Sequence, residues 1–226
     1  MKSRRRICIA LGASLTLGLT GVAVAATVTP PAGTPNLAAM VLQPGDLAAG
    51  AVAGTQRYVT PLTGFSAQYD GSFTTAATPD GVSYYLVSDG VSLAPDASVV
   101  STLFGEEKAF FNSKKGHKLV DKGIIQDAGK KAHLKASSIK FKNRGSVGVG
   151  GGSFLLAIGI SSKHTSIHED LVLFQQGTVY VELVLTGKPG QSVPRSDAVL
   201  LATAIDSHVN SVLASTGTTG LTGATQ

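Results

Sequence analysis

Residues Leu171 to Leu185 constrain the fold more than any other stretch of this chain. Two runs of β-branched, aliphatic and aromatic residues, Leu171-Val172-Leu173-Phe174 and Val179-Tyr180-Val181-Glu182-Leu183-Val184-Leu185, flank Gln175-Gln176-Gly177. The pattern reads as a β-hairpin closed by a glycine-containing turn. A hairpin of this length needs further strands beside it, and the same composition recurs at Ala51–Thr60, Ser66–Thr74, Val82–Leu93, Ala136–Lys142 and Ser153–Ile160. Pro95-Asp96 is a helix start, because proline needs no donor in the first turn and Asp suits the positive end of the dipole. The helix carries Val99/Val100, Leu103/Phe104 and Phe110/Phe111 at helical spacing, with Gly105 as a candidate kink and Gly116 as the expected stop. Leu37 to Leu42, stopped by Pro44-Gly45, predicts one or two helical turns, and Pro194 opens a last helix with Ala198, Leu201, Ile205, Val209 and Val212 on one face. The expected class is α+β: a single domain with a mainly antiparallel sheet covered by helices.

The N-terminus reads as an export signal. Lys2, Arg4, Arg5 and Arg6 form a basic region, Ile7 to Val22 an apolar core, and Ala23-Val24-Ala25 a small-x-small cleavage site. The expected organisation is a signal peptide over 1–25, a flexible leader over 26–35, one domain over 36–214 and a Gly/Thr tail over 215–226. No retained transmembrane anchor is expected, because no later stretch offers roughly 20 consecutive apolar residues. The expected location is therefore secreted or periplasmic. Ser3-Arg4-Arg5-Arg6-Ile7 resembles the twin-arginine pattern with Cys8 and Ile9 departing from its ending, so both that route and general export stay open.

Cleavage changes what composition means. Cys8 is the only cysteine, so the mature chain has no disulfide, thiolate metal site or cysteine nucleophile. Nineteen Lys and Arg stand against 14 Asp and Glu, but four of the basic residues lie in the signal, which leaves the rest nearly neutral. The remaining charge is segregated. Residues 105–144 carry eleven Lys/Arg against four acids, a surplus of seven, whereas the remainder is negative by six. Separation of this size can orient a molecule toward a polyanion.

The element order, with Leu42-Gln43-Pro44-Gly45-Asp46-Leu47, the helix around Ala109-Phe110, the hairpin and the terminal helix Ser196 to Val209, resembles small exported bacterial domains of the PsbP/Mog1-like type, including LpqN-like proteins. That resemblance implies an α/β/α sandwich and a binding or accessory role in the envelope. It carries over no catalytic residue.

Candidate chemistry is sparse. His164 and His168, followed by Glu169 and Asp170, form the densest set of metal-ligand types, but Thr165-Ser166-Ile167 predicts a loop between strands and the order is not H-E-x-x-H. The glycine-rich Gly145 to Ser153 fits neither nucleotide-binding template and precedes an apolar strand, so a mobile hairpin loop is expected, with its amides beside Arg144 as an alternative anion site. Ser137-Ser138-Ile139-Lys140 contains S-x-x-K without its partner motifs. His208 is expected at the edge of the core. The expected ligand-binding residues, for an anion or an envelope surface, are Lys114, Lys115, Lys118, Lys122 and Arg144. Lysine suits diffuse attraction to phosphate better than bidentate recognition.

These features favour a non-enzymatic exported binding or accessory domain with no cofactor. Its partner would be an anionic envelope polymer, a lipid surface or an acidic protein, and nucleic acid is not expected. Two alternatives remain: a secreted hydrolase using His164, His168 and Asp170, and an assembly subunit that binds a protein partner.

Overall fold

The computed structural model describes residues 27–124, 138–161 and 166–216. One antiparallel sheet of seven strands organises the domain. β1 (Val52–Val59), β2 (Ala67–Thr74) and β3 (Tyr84–Leu93) form one meander, and β4 (Ile139–Gly145), β5 (Gly152–Ser161), β6 (Ser166–Gln176) and β7 (Val179–Gly187) form a second. The strand order is β1-β2-β3-β7-β6-β5-β4, so β3 and β7 join the meanders at the centre. Between the meanders the chain passes through α1 (Ala97–Phe111) and α2 (Lys114–Ile124) toward the far edge, and after β7 it forms α3 (Arg195–Ser215).

Both faces of the sheet are covered, as an α/β/α layering requires. On one face α3 lays Ala198, Leu201, Ile205 and Val209 against Val172, Phe174, Val181 and Leu185, with the turns at Leu37–Ala39 and Pro44–Asp46 alongside. On the other, Val100, Phe104 and Phe111 of α1 and Val120 and Ile124 of α2 meet Phe154, Leu156, Leu171, Leu173 and Val184. The expected α+β class and antiparallel sheet are observed, and the hairpin turns at Gly177, whose φ of 57° suits glycine. By length and composition α3 is apolar enough to cross a membrane, and its apolar stripe packs on the sheet.

Two local expectations change. Gly116 does not stop a helix; it lies inside α2 at a tight corner, where an added Cβ would fall 1.9 Å from the Phe110 carbonyl oxygen. Ser113 builds that corner, its hydroxyl donating to the Phe110 carbonyl and accepting from the Gly116 N–H. Within the expected leader over 26–35, Val28 N–H donates to the Tyr58 carbonyl of β1 at 3.2 Å. Ser166, Ile167 and His168 belong to strand β6, where a loop was expected, because they pair with Ser161, Ile160 and Gly159. Residues 1–26 and 217–226, hence the signal and most of the tail, lie outside the described residues.

Candidate functional site

Helix α2 is the most polarised of the described α-helices. Gly116, Val120 and Ile124 recur every four residues and are buried against the sheet. At about 100° per residue, Lys114, Lys118, Lys122 and Lys115 fall on an arc of about 100° centred opposite that buried stripe. All four are exposed, and Leu119 is 38% exposed at the margin of the same arc. The one acid of α2, Asp121, is half-buried beside His117. His117 anchors the helix to the sheet edge, stacking on Phe141 of β4 with ring centres 4.4 Å apart. None of the four lysines takes part in an ion pair with a described residue. Lys130, Lys131 and Lys135, counted in the basic tract, lie outside the described residues.

The structure does not bring Arg144 to these lysines. Its guanidinium contacts the Asp170 carboxylate at 2.5 Å and the Val193 carbonyl at 3.1 Å. Asp170 alternates with Leu171 along β6 and therefore points to the α3 face, opposite α2. Burial pushes the Asp170 carboxyl up to about 6, against the opposing pull of Arg144. The glycine-rich loop is likewise committed. The Ser153 hydroxyl accepts from the N–H groups of Val147 and Gly148, Val147 and Val149 enter the core, and Arg195 donates to the Arg144 and Ser146 carbonyls. Amides that an anion would need at Val147 and Gly148 are thus already bonded.

His168 stands on β6 opposite Gly159, and the carboxylate two residues on, Asp170, engages Arg144. His164 lies outside the described residues, and among the described residues no three His, Asp or Glu side chains gather as a metal site. His208 sits at the core edge as expected, its Nδ1 3.0 Å from the Val41 carbonyl oxygen and its Nε2 3.6 Å from Asp46.

The burial of three carboxyl groups was not legible in the sequence. Asp89 of β3 accepts from Leu42 N–H at 2.5 Å through one oxygen, and its other oxygen has no partner among the described residues. Glu107 of α1 accepts from the Tyr180 hydroxyl, and Glu169 of β6 accepts from the Thr186 hydroxyl at 3.2 Å. Desolvation pushes the first two up to about 7 and Glu169 up to about 8. A second missed feature is the polar half-face of β2 and β3, where Gln68, Asp70, Ser72, Ser88 and Ser92 alternate with core residues. In β2 the alternation Ala67-Gln68-Tyr69-Asp70-Gly71-Ser72-Phe73 was a readable signal for it. At the β1 edge a shallow cleft of about 220 Å³ is lined mainly by Val28, Pro30, Pro31, Tyr58, Pro61 and Gln68.

Comparison with known proteins leaves the family open. No family model matches the chain, and no curated protein matches it. Among solved structures, the extracellular domain of PknH from Mycobacterium tuberculosis is similar at a TM-score of 0.45 and 12% identity, over 76% of this chain and 94% of that one. A protein of unknown function from Pseudomonas aeruginosa, PA94, described as a putative regulator, is similar at a TM-score of 0.28 and 15% identity, over 60% of this chain and 85% of that one. Both likenesses are too loose to carry a function, so the candidate surface rests on its own geometry.

Proposed function

We propose that this chain is an exported, non-catalytic binding domain that meets anionic envelope material through the lysine face of α2. One observation carries the reading: four exposed lysines share the arc of α2 opposite its buried stripe, without an ion-pair partner among the described residues. Clustered charge acts jointly on a polyanion in a way that scattered charge does not. Export rests on the basic region, apolar core and Ala-Val-Ala site of residues 1–25. Membership of the PsbP/Mog1-like group is part of the same proposal and rests on element order.

The test is sedimentation with vesicles containing anionic lipid, and with cell-wall preparations, at low and high salt. Binding at low salt should fall steeply as the screening length shortens from about 10 Å at 0.1 M to about 3 Å at 1 M. Replacing Lys114, Lys115, Lys118 and Lys122 by Gln should weaken binding and leave stability nearly unchanged, since exposed charges contribute little to folding. Full retention of binding by that variant, or no binding at low salt, refutes the proposal.

A further inference from the structure

We propose that the outer edge of β4, at Ile139–Lys142, is a docking strand for an extended acidic peptide, which would add to the sheet as an eighth strand. This surface is separate from the α2 lysine face and does not depend on the envelope reading. The strand order ends at β4, which pairs only with β5 among the described residues. One side of its backbone therefore presents N–H and C=O groups with no strand beyond them among the described residues. The opposite end of the sheet differs, since Val28 already donates to the Tyr58 carbonyl of β1.

Side chains select the occupant. Ile139 and Phe141 belong to the apolar cluster beneath α1 and α2, so by alternation Lys140 and Lys142 project from the other face, and both are exposed. Residues two apart on a strand stand about 6.8 Å apart on one face. An added strand repeats at the same interval, so carboxylates at every second position would each oppose one of these lysines. A polysaccharide or a lipid surface could use the lysines but offers no matching row of backbone donors and acceptors. A second copy of β4 would bring lysines near lysines, the arrangement by which edge strands resist self-pairing. Past Lys142 the edge is closed: the Asn143 side chain donates to Asn112 at 2.6 Å, the register shifts between Asn143 and Gly145, and Arg195 occupies the Arg144 carbonyl.

The probe is a fluorescein-labelled nonapeptide of alternating Glu and Thr, titrated into the full chain at low salt and followed by anisotropy. Two further versions carry N-methyl groups on all the Glu or on all the Thr amides. In a strand addition only alternate amides face the docking strand, so one methylated set should abolish binding while the other leaves it within about threefold. Lys140→Gln with Lys142→Gln should weaken binding at least tenfold. No binding by the unmethylated peptide, or equal effects of the two methylated sets, overturns the proposal. The α2 quadruple Gln variant should keep the methylation asymmetry even if it loses vesicle binding, which separates failure of this inference from failure of the envelope reading.

Discussion

The carboxylate of Glu107 on α1 accepts a hydrogen bond from the Tyr180 hydroxyl on β7, 73 residues away in sequence, and both side chains are buried. This bond ties the first helix to the central hairpin at a point where the rest of the contact is apolar. Phe65 packs at 6.1 Å from the Tyr180 ring, so the phenol is closed off from water by an aromatic wall as well as by the helix.

Removing the donor should therefore be costly. Tyr180→Phe leaves a buried Glu107 without its partner, and the expected loss is about 1–3 kcal/mol in urea unfolding at pH 7. Glu107→Gln keeps an acceptor for the phenol and removes the ionisable group, so it should cost under about 1 kcal/mol at pH 6. A Tyr180→Phe variant that unfolds like the parent would show that this bond contributes nothing.

Buried carboxyls also set the pH dependence. The folded state raises Asp89 and Glu107 to about 7 and Glu169 to about 8, so it holds protons that the unfolded chain releases near pH 4. Stability is then fully present below about pH 4 as far as these groups are concerned, and is lost as pH rises through 7 to 8. The unfolding midpoint should be lower at pH 8.5 than at pH 5.5 by at least about 5 °C, taking 2–4 °C per kcal/mol for a domain of this size. Glu107→Gln should flatten part of that slope. A midpoint that rises with pH over this range would contradict the assignment.

Gly105 and Gly116 make a paired test. Gly105 lies mid-helix in α1 with no atom within 4 Å of an added Cβ, whereas that Cβ at Gly116 would collide with the Phe110 carbonyl. Gly105→Ala should stabilise by about 0.5–1 kcal/mol, because the helix loses an entropic penalty without a steric one. Gly116→Ala should destabilise by about 3 kcal/mol or more, or displace α2 from the sheet. Similar effects at the two positions would mean that the α1–α2 corner is not as tight as described.

Those two glycines also show where sequence reading stops. The Leu171–Leu185 hairpin, though its turn is Gly177-Thr178 with Gln175 and Gln176 still in β6, the Pro95-Asp96 helix start and the Pro194 helix start were legible because each is a local pattern with a local cause. Asp96 indeed accepts from the N–H groups of Ser98 and Val99. Gly116 was misread because a stop and a close approach have the same local signature, and only the Phe110 carbonyl distinguishes them. The lysines were visible as charge, but their common arc needed the boundary between α1 and α2. Glu107, Asp89 and Glu169 were not visible as buried groups, since burial of a lone acid depends on partners 47 to 73 positions away for Asp89 and Glu107.

Arg144 and Asp170 give the last test. Asp170 is 1% exposed and its carboxylate meets Arg144, whose side chain keeps 21% of its surface in water. Arg144→Ala strands a buried acid, and losing one partner of such a pair costs about 3–5 kcal/mol. Asp170→Asn should cost less, about 1–2 kcal/mol, because the guanidinium can turn to solvent and Asn still accepts a bond. The sign of the pH effect follows from the cause of the shift. Burial holds Asp170 at about 6 against the pull of Arg144, so removing the arginine raises that value further. The folded Arg144→Ala protein then loses stability as pH rises through the raised value, and its deficit relative to the parent should be larger at pH 8 than at pH 5. Urea unfolding of both variants at the two pH values decides it: equal deficits for Arg144→Ala at pH 5 and pH 8 would show that Asp170 does not depend on Arg144 for its charge.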